Sequence, residues 1–589
     1  MTVQLVPNAD RTPTLSRSLP AWVFNLALPV GFWAIALLLM PVANAFQFDT
    51  DEGQELVKAL LYNQGYSLLD EIWSDQPPLL TLVLAAWLRL WEDSVLAARL
   101  LILGFSTVLV WAFAQLLRRA VDDRYALVGA FLLICTANFL RLSVSVMIGM
   151  PAIACLMVSL YALLRYHESR QGAQQWIWLG VASITAGLSM QFKMFTILLL
   201  PIWGLFLWAG HYTGRPLRWQ QRRPWFVAIV WGLGAIATFM GLGLSLGLIS
   251  LDASFLFHVD SDVKSAFINE HSLRDVGLFY AQEFDYFVLT LFALIPAISK
   301  LKGLQNFAIS ISLPGLTQRK KQDVVKAERS RSRSVSRGDS LNGRGSTPLT
   351  PHPQRDNKAL IAVLHKFYPL KKEVRGAQGS QSNPTRHPLL NLVPLLWLVW
   401  VTLFLVFHKP IWYHHHILIA LPLSWLATLG LKTCLNSIRR RGGFETRPYR
   451  FGLRPASLAV GFLLLAIPIK LTLLYLHNQT VLAETWQHQQ VIEQIQTEAP
   501  KENWLFTDIP MYGVYTHRSI PPEIATLSRK RIAAQAFSAQ AMVDLVQRYD
   551  LQQFVIGRFP IVEGFLADAL PGQLEQTDYP VARYYRRIR

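Results

Sequence analysis

"FQFDTDEGQELVKALLYNQGYSLLDEIWSDQPPLLT" runs from Phe46 to Thr81, directly after the apolar stretch 21–41. It places Asp49, Asp51, Glu52, Glu55, Asp70, Glu71 and Asp75 between a bilayer-length run and the double proline Pro77–Pro78, beyond which the chain turns apolar again. About 20 helical residues at 1.5 Å each match the hydrocarbon thickness of a bilayer. The acidic stretch is therefore read as a loop at a membrane surface.

Composition agrees. Of 589 residues, 52% are hydrophobic, only 16% are charged, and 19 are Trp, which favours a polytopic membrane protein over the several soluble domains that length alone would allow. Cys135, Cys155 and Cys434 lie in apolar runs without paired spacing, so neither a disulfide framework nor a thiolate metal site is indicated. The first apolar stretch, 21–41, is longer than a signal-peptide core and is expected to be a retained span.

Apolar runs near bilayer length fall at 21–41, 95–117, 125–140, 142–164, 176–191, 193–210, 225–250, 277–298, 389–407, 411–431 and 455–476, about eleven spans in all. With the N-terminus in the cytoplasm, the loops holding Arg118, Arg119 and Arg124, Arg165 and Arg170, Arg215 to Arg223, the segment 299–388, and Arg439 to Arg454 all share its side. This is the pattern that the positive-inside rule requires. The loop 42–94 and everything after 477 then lie outside the cytoplasm.

The expected organisation is a cytoplasmic tail 1–20, a transmembrane module 21–298 containing the external loop 42–94, an insertion 299–388, further spans 389–476 and a soluble domain 477–589. Between Lys300 and Pro388 stand 18 Lys and Arg against 5 Asp and Glu, so the insertion supplies most of the net charge of +18. Its "ERSRSRSVSRGDSLNGRGSTPLTPHPQ" is too poor in apolar residues to fold alone, and the positive charge is not read as nucleic-acid binding. Residues 54–62 and 79–91 are helical in pattern but too short to span, so they are predicted to lie along the outer membrane surface. The tail has a polar helix at about 480–498 and a strand–helix–strand pattern around "NWLFTDIP" and "QQFVIGRF", as in a small α/β domain.

"TDEGQELVKALLYNQGY" followed by "SDQPPLLT" resembles the acidic signature and downstream proline segment of GT-C fold glycosyltransferases, in the branch of protein O-mannosyltransferases (glycosyltransferase family 39) and aminoarabinose transferases. The soluble tail "TDIPMYGVYTHRSIPPEIATLSRKRI" is similar to that of bacterial members. The resemblance implies an α-helical polytopic membrane protein of GT-C fold with an extracytoplasmic C-terminal domain. It also implies transfer of a hexose or pentose from a polyprenyl-phosphate donor to a lipid, glycan or protein acceptor outside the cytoplasm, in a bacterial inner membrane.

On this resemblance Asp51 matches the catalytic carboxylate and Glu52 is its catalytic neighbour; Pro77 and Pro78 match the segment that positions the loop, and Gln76, standing where many members have Lys, is with Pro77 a candidate for substrate or phosphate binding. A base suits the chemistry, because an acceptor must lose a proton while a phosphate leaves without acid assistance. Cations must meet the growing phosphate charge. Lys193 in "GLSMQFKMFTILLL" and Arg141 in "NFLRLSV" are lone cations at external helix boundaries. "HKPIWYHHHILIALP" adds His408, Lys409, Tyr413, His414, His415 and His416 at the same surface, where they are candidates for phosphate or sugar binding. No resident cofactor is called for. A divalent metal is the one candidate, and because Met150 precedes Pro151 where aminoarabinose transferase relatives often have an acid, Asp49 would have to join Asp51 in holding it.

No GxxxxGK[ST], HExxH or GxSxG context supports ATP use, zinc proteolysis or serine hydrolysis. "WGLGAIATFMGLGLSLG" is read as close helix packing. The rival function is a transporter or lipid-handling protein whose external acids bind a cation or amine, but the internal repeats that would mark it are not evident. A degenerate relative that binds the lipid-linked sugar without turning it over is a further alternative.

Overall fold

The computed structural model describes residues 19–74, 76–92, 94–169, 172–210, 223–247, 271–294, 388–440, 455–498 and 504–588. Asp75, the N-terminal tail up to Ser18, and the basic insertion up to His387 lie outside the described residues.

The membrane body is helical. Its elements are α1 (Val23–Leu39), α2 (Thr50–Asn63), α3 (Leu79–Leu90), α4 (Val95–Ala120), α5 (Asp123–Ile134), α6 (Phe139–Val144), α7 (Gly149–Glu168), α8 (Ala173–Phe192), α9 (Leu200–Gly210) and α10 (Arg223–Ser245). They continue as α11 (Ser272–Gln282), α12 (Phe284–Leu294), α13 (Val393–Phe407), α14 (Ile417–Arg440) and α15 (Pro455–Glu498). Each apolar run of the sequence carries a helix. Among the described residues, five helices are long and apolar enough to cross a membrane, and five shorter apolar helices accompany them.

Local chemistry sets the ends. Ser94 accepts from the Ala97 N–H (3.3 Å) to start α4, Asp122 accepts from the Tyr125 N–H (3.2 Å) to start α5, and Arg118 and Arg119 close α4 where the helix dipole favours cations. Small residues let the helices approach. Ser159 and Ser189 donate across the α7–α8 contact to the carbonyls of Ala182 and Ala152, each at 2.7 Å. Gly187 of α8 meets α10 so closely that an added Cβ would stand 2.7 Å from the Ala235 carbonyl oxygen.

The two ends of the bundle differ in charge. At one end, Leu19 N–H reaches Asp123 (2.7 Å), Arg118 pairs with Asp123 (3.0 Å), Arg119 with Glu168 (3.3 Å) and Lys432 with Asp122 (2.7 Å). The acidic loop, α2 and the histidine run gather at the other. Among the described residues, Arg118, Arg119 and Arg165, which share one side in the sequence, share one end in space.

Two boundaries depart from expectation. The run 125–140 splits into α5 and α6 around the turn at Cys135 to Asn138. The predicted span 455–476 and polar helix 480–498 are one uninterrupted helix of 44 residues, with Pro468 inside it. The polar half continues because Asn478, His488, Val491 and Ile495 find buried contacts along it.

Beyond α15 lies a four-stranded sheet, β1 (Leu505–Thr507), β2 (Gln553–Ile556), β3 (Leu574–Asp578) and β4 (Arg583–Arg587), in the order β1-β2-β4-β3. β1 and β2 are parallel, Phe506 against Phe554, and the remaining pairs are antiparallel. Phe506, Phe554, Val555, Met542, Val562 and Tyr584 are buried and form its core.

This domain clasps the acidic loop. The Phe46 ring stacks on His488 of α15 (3.9 Å, 12°) and lies near Tyr512 and Tyr515 of the helix Met511–Thr516. Phe46 N–H donates to Thr485 Oγ1 (2.8 Å), and the Tyr515 hydroxyl donates to the Ala45 and Phe46 carbonyls (3.2 and 3.3 Å). At Gly53 an added Cβ would stand 2.6 Å from the backbone nitrogen of Met511, so α2 and the domain touch backbone to backbone.

Candidate functional site

The site is built on the first turn of α2. Asp49 caps that helix by accepting the Asp51 N–H (2.7 Å), and its carboxylate also faces the Tyr413 hydroxyl. Asp51 and Glu52, adjacent in sequence, point about 100° apart around the helix and enter different environments.

Glu52 is fully buried. One oxygen accepts from Arg99 Nε (2.9 Å) and the Val146 N–H (3.3 Å), the other from Arg99 Nη2 (3.0 Å) and the Phe48 N–H (2.9 Å). Arg99 further donates to the carbonyls of Val42, Ala45 and Phe46. Both oxygens are thus occupied, and Glu52, expected as the catalytic neighbour of Asp51, is the counter-ion of an arginine that folds the loop. Arg99 is the residue the sequence reading missed here.

Asp51 is half-buried and faces the other way. Burial foremost, then repulsion from Asp49, raises its carboxyl to about 7; Arg558 pulls it down, Glu55 adds repulsion, and Lys193 adds a smaller pull downward. Such a carboxyl gains and loses its proton near neutrality.

Lys193 caps the C-terminal end of α8 and lies within electrostatic reach of Asp51, His414 and His415. Its neighbour Met194 donates its N–H to Gln76 Oε1 (3.3 Å), so Gln76 ties the segment before α3 to the lysine. Pro77 is buried at the start of α3 and acts on the site through backbone placement. Arg141 spends Nε and Nη2 on the Phe48 carbonyl (2.9 and 2.5 Å) and stacks over Tyr413 (4.4 Å). Those two N–H groups fix the residue that precedes Asp49.

The histidine run divides by direction. His415 Nδ1 accepts the Trp412 N–H (3.1 Å), its ring stacks on Phe195 (5.5 Å), and His414 lies edge-on to it (4.6 Å). His416 turns inward to Glu283 (3.2 Å), which with Asp285 holds Lys470 of α15 at 2.6 and 2.7 Å. His408 packs on Phe404 and Phe195 while its carbonyl accepts from Ser272 (2.7 Å), and Lys409 is exposed beside it.

Two cations come from the C-terminal domain and were not singled out in the sequence. Lys530, in the turn Arg529–Ala533, lies within electrostatic reach of His414 and His415. That turn docks on the external loop through Thr526, which donates to the Trp73 carbonyl (3.1 Å), and Arg531, which lies over the Trp73 ring (4.9 Å). Arg558 follows β2 and acts on Asp51. In the sequence both are ordinary charges of a soluble domain, some 500 residues from the acidic loop, and only the docking brings them near it.

The residues do not fit a metal held jointly by Asp49 and Asp51. Asp49 is engaged by the helix cap, and among the described residues no three His, Cys, Asp or Glu converge as ligands.

The family model for dolichyl-phosphate-mannose-protein mannosyltransferases matches residues 75–241. Among solved structures, ArnT from Cupriavidus metallidurans bound to undecaprenyl phosphate is similar at a TM-score of 0.56 and 11% identity, over 96% of this chain and 98% of that one. The same protein in the apo state gives 0.53 and 12%, over 94% and 97%. The chain has the GT-C fold. AglB from Archaeoglobus fulgidus, an archaeal oligosaccharyltransferase, gives a TM-score of 0.44 at 13% identity, over 91% of this chain and 70% of that one. Comparison with curated proteins gave no match. The GT-C likeness to ArnT spans both the helical body and the C-terminal sheet domain, and the chain is an integral membrane protein.

Proposed function

We propose that this GT-C protein is a glycosyltransferase that moves a sugar from a polyprenyl-phosphate carrier to a lipid, glycan or protein acceptor on the extracytoplasmic face, with Asp51 as general base. The observation that carries it is the half-buried carboxyl of Asp51 on the first turn of α2, where the acidic loop meets the C-terminal domain and the cations Arg558 and Lys193 act on it. The dolichyl-phosphate family match and the undecaprenyl phosphate bound in ArnT support a lipid-phosphate donor.

In this mechanism the acceptor oxygen attacks the anomeric carbon as the carbon–oxygen bond to phosphate breaks. The bonding electrons leave with the phosphate, and the acceptor proton passes to Asp51. The donor diester carries one negative charge and the leaving monoester approaches two. Lys193 at the membrane boundary is placed to meet that charge, and His414 and His415 are placed to donate hydrogen bonds to sugar or phosphate. Positive charge at the opposite end of the bundle supports an external site.

The test is transfer of labelled sugar from a panel of polyprenyl-phosphate sugars to membrane acceptors by wild type and Asp51→Asn at equal expression. Transfer by wild type, reduced at least ~100-fold in the variant, is expected. Undiminished transfer by Asp51→Asn would remove the base, and no transfer from any donor would remove the enzyme class.

A further inference from the structure

The soluble domain does more than cap the bundle. Its Asp508, fully buried at the end of β1, accepts three successive backbone N–H groups, from Gly557 (2.8 Å), Arg558 (2.8 Å) and Phe559 (2.7 Å). A carboxylate held by three amides fixes the backbone of the β2 exit loop at the start of the helix Pro560–Ala569. That loop presents the Arg558 side chain. The guanidinium lies over the Phe559 ring (5.0 Å), and its Nη1 is buried with no hydrogen-bond partner among the described residues. An arginine fork with an unused buried donor is suited to an anion, because guanidinium matches phosphate oxygens in a fixed planar geometry.

The anion is identified by place and charge. Arg558, carried by the domain, and Lys193, at the end of α8, both act electrostatically on Asp51 and oppose the repulsion from Asp49 and Glu55. Gly53, two residues from Asp51, is locked against Pro510 and Met511, close to Asp508, so domain and helix hold a fixed distance. A substrate reacting at Asp51 therefore comes within the field of two cations, one from the domain and one from the bundle, and its phosphate becomes more negative as the sugar leaves.

We propose that Arg558, delivered by the C-terminal domain, is a second phosphate-binding cation of the active site, engaging the lipid phosphate most strongly as it departs. The inference rests on the proposed transferase activity. A group whose contact strengthens with the developing charge changes kcat more than the donor KM. It also favours the dianionic product over the monoanionic donor.

The experiment uses the full chain in lipid nanodiscs, comparing wild type, Arg558→Gln and Arg558→Lys in donor kinetics and in product inhibition by undecaprenyl phosphate. For Arg558→Gln, kcat is expected to fall about 100-fold, in the range seen on losing one charge-stabilising donor, with a donor KM within about threefold. Inhibition by undecaprenyl phosphate should weaken by at least about tenfold, and Arg558→Lys should recover a good part of both. Unchanged kcat and inhibition in Arg558→Gln would overturn the inference and leave the transferase standing. Equal losses in both variants accompanied by a lowered melting temperature would overturn it in favour of a structural role. No transfer and no undecaprenyl phosphate binding by wild type would overturn both.

Discussion

Asp51 illustrates how one carboxyl is set apart from its neighbours. With an ordinary value of 3.8 and about 7 in the folded chain, it is a base only above neutrality, so kcat should climb through about pH 7 and level off beyond it. The same shift has a sign for stability. Below about pH 4 the carboxyl is protonated in both folded and unfolded chains and contributes nothing. Between about pH 4 and 7 the folded chain holds the proton that the unfolded chain releases, so stability falls as pH rises, and above about 7 the loss is complete. Asp51→Asn escapes that loss. Its melting temperature should exceed that of wild type at about pH 8, and the difference should vanish as pH approaches about 4; an unchanged difference across that range would contradict the shift. At this scale the sequence singled out Asp51 and Lys193 as candidates, because a charge beside a bilayer-length apolar run is conspicuous. It did not separate Asp51 from Glu52, because adjacency says nothing about which side of a helix meets Arg99. Arg558 was hidden for a different reason: its meaning depends on a fold contact formed across most of the chain.

Among the elements, α2 has the most exacting surroundings. Its Gly53 faces backbone atoms of Pro510 and Met511, which have no side-chain freedom with which to give way. Gly53→Val should therefore part α2 from the domain, at a cost of about 1–3 kcal/mol for overpacking. Activity should fall further than stability does, because the same displacement carries Arg558 away from Asp51. Thermal unfolding and transfer assays on one preparation would check this; a variant with full activity would show that the contact is not needed. The helices themselves were legible as apolar runs, because a bilayer demands length and hydrophobicity. The junction of α15 was not. The polarity change after Leu476 reads as an exit from the membrane followed by a break, yet the helix continues because Thr485 and His488 serve as contacts for the acidic loop.

For the whole molecule, the proposed orientation is tested by asking which bundle end faces the outside. The native cysteines are a quiet background for mapping it, since Cys135 and Cys434 are buried and Cys155 is half-buried. A cysteine introduced at exposed Asp70 should react with a membrane-impermeant maleimide in intact cells, and one at exposed Arg124 only after lysis. The reverse pattern would put the site in the cytoplasm. The sheet domain was predicted as a strand–helix–strand unit, and β1 and β2 do pair in parallel. The β3–β4 hairpin that completes the sheet was not anticipated, since "LEQTD" and "RYYRR" are charged strands without apolar alternation.

The unbroken α15 makes rotation and height inseparable. Each residue of an α-helix contributes about 100° of turn and 1.5 Å of rise. One residue inserted between the bilayer and Thr485 would swing the sheet domain, with Arg558, most of a third of a circle away from Asp51. Seven inserted residues would restore the facing within about 20° while lifting the domain ~10 Å. Length variation in this helix thus keeps the facing only at insertions near a whole number of turns, such as seven or eleven residues, and even then it changes how far above the lipid an acceptor must reach.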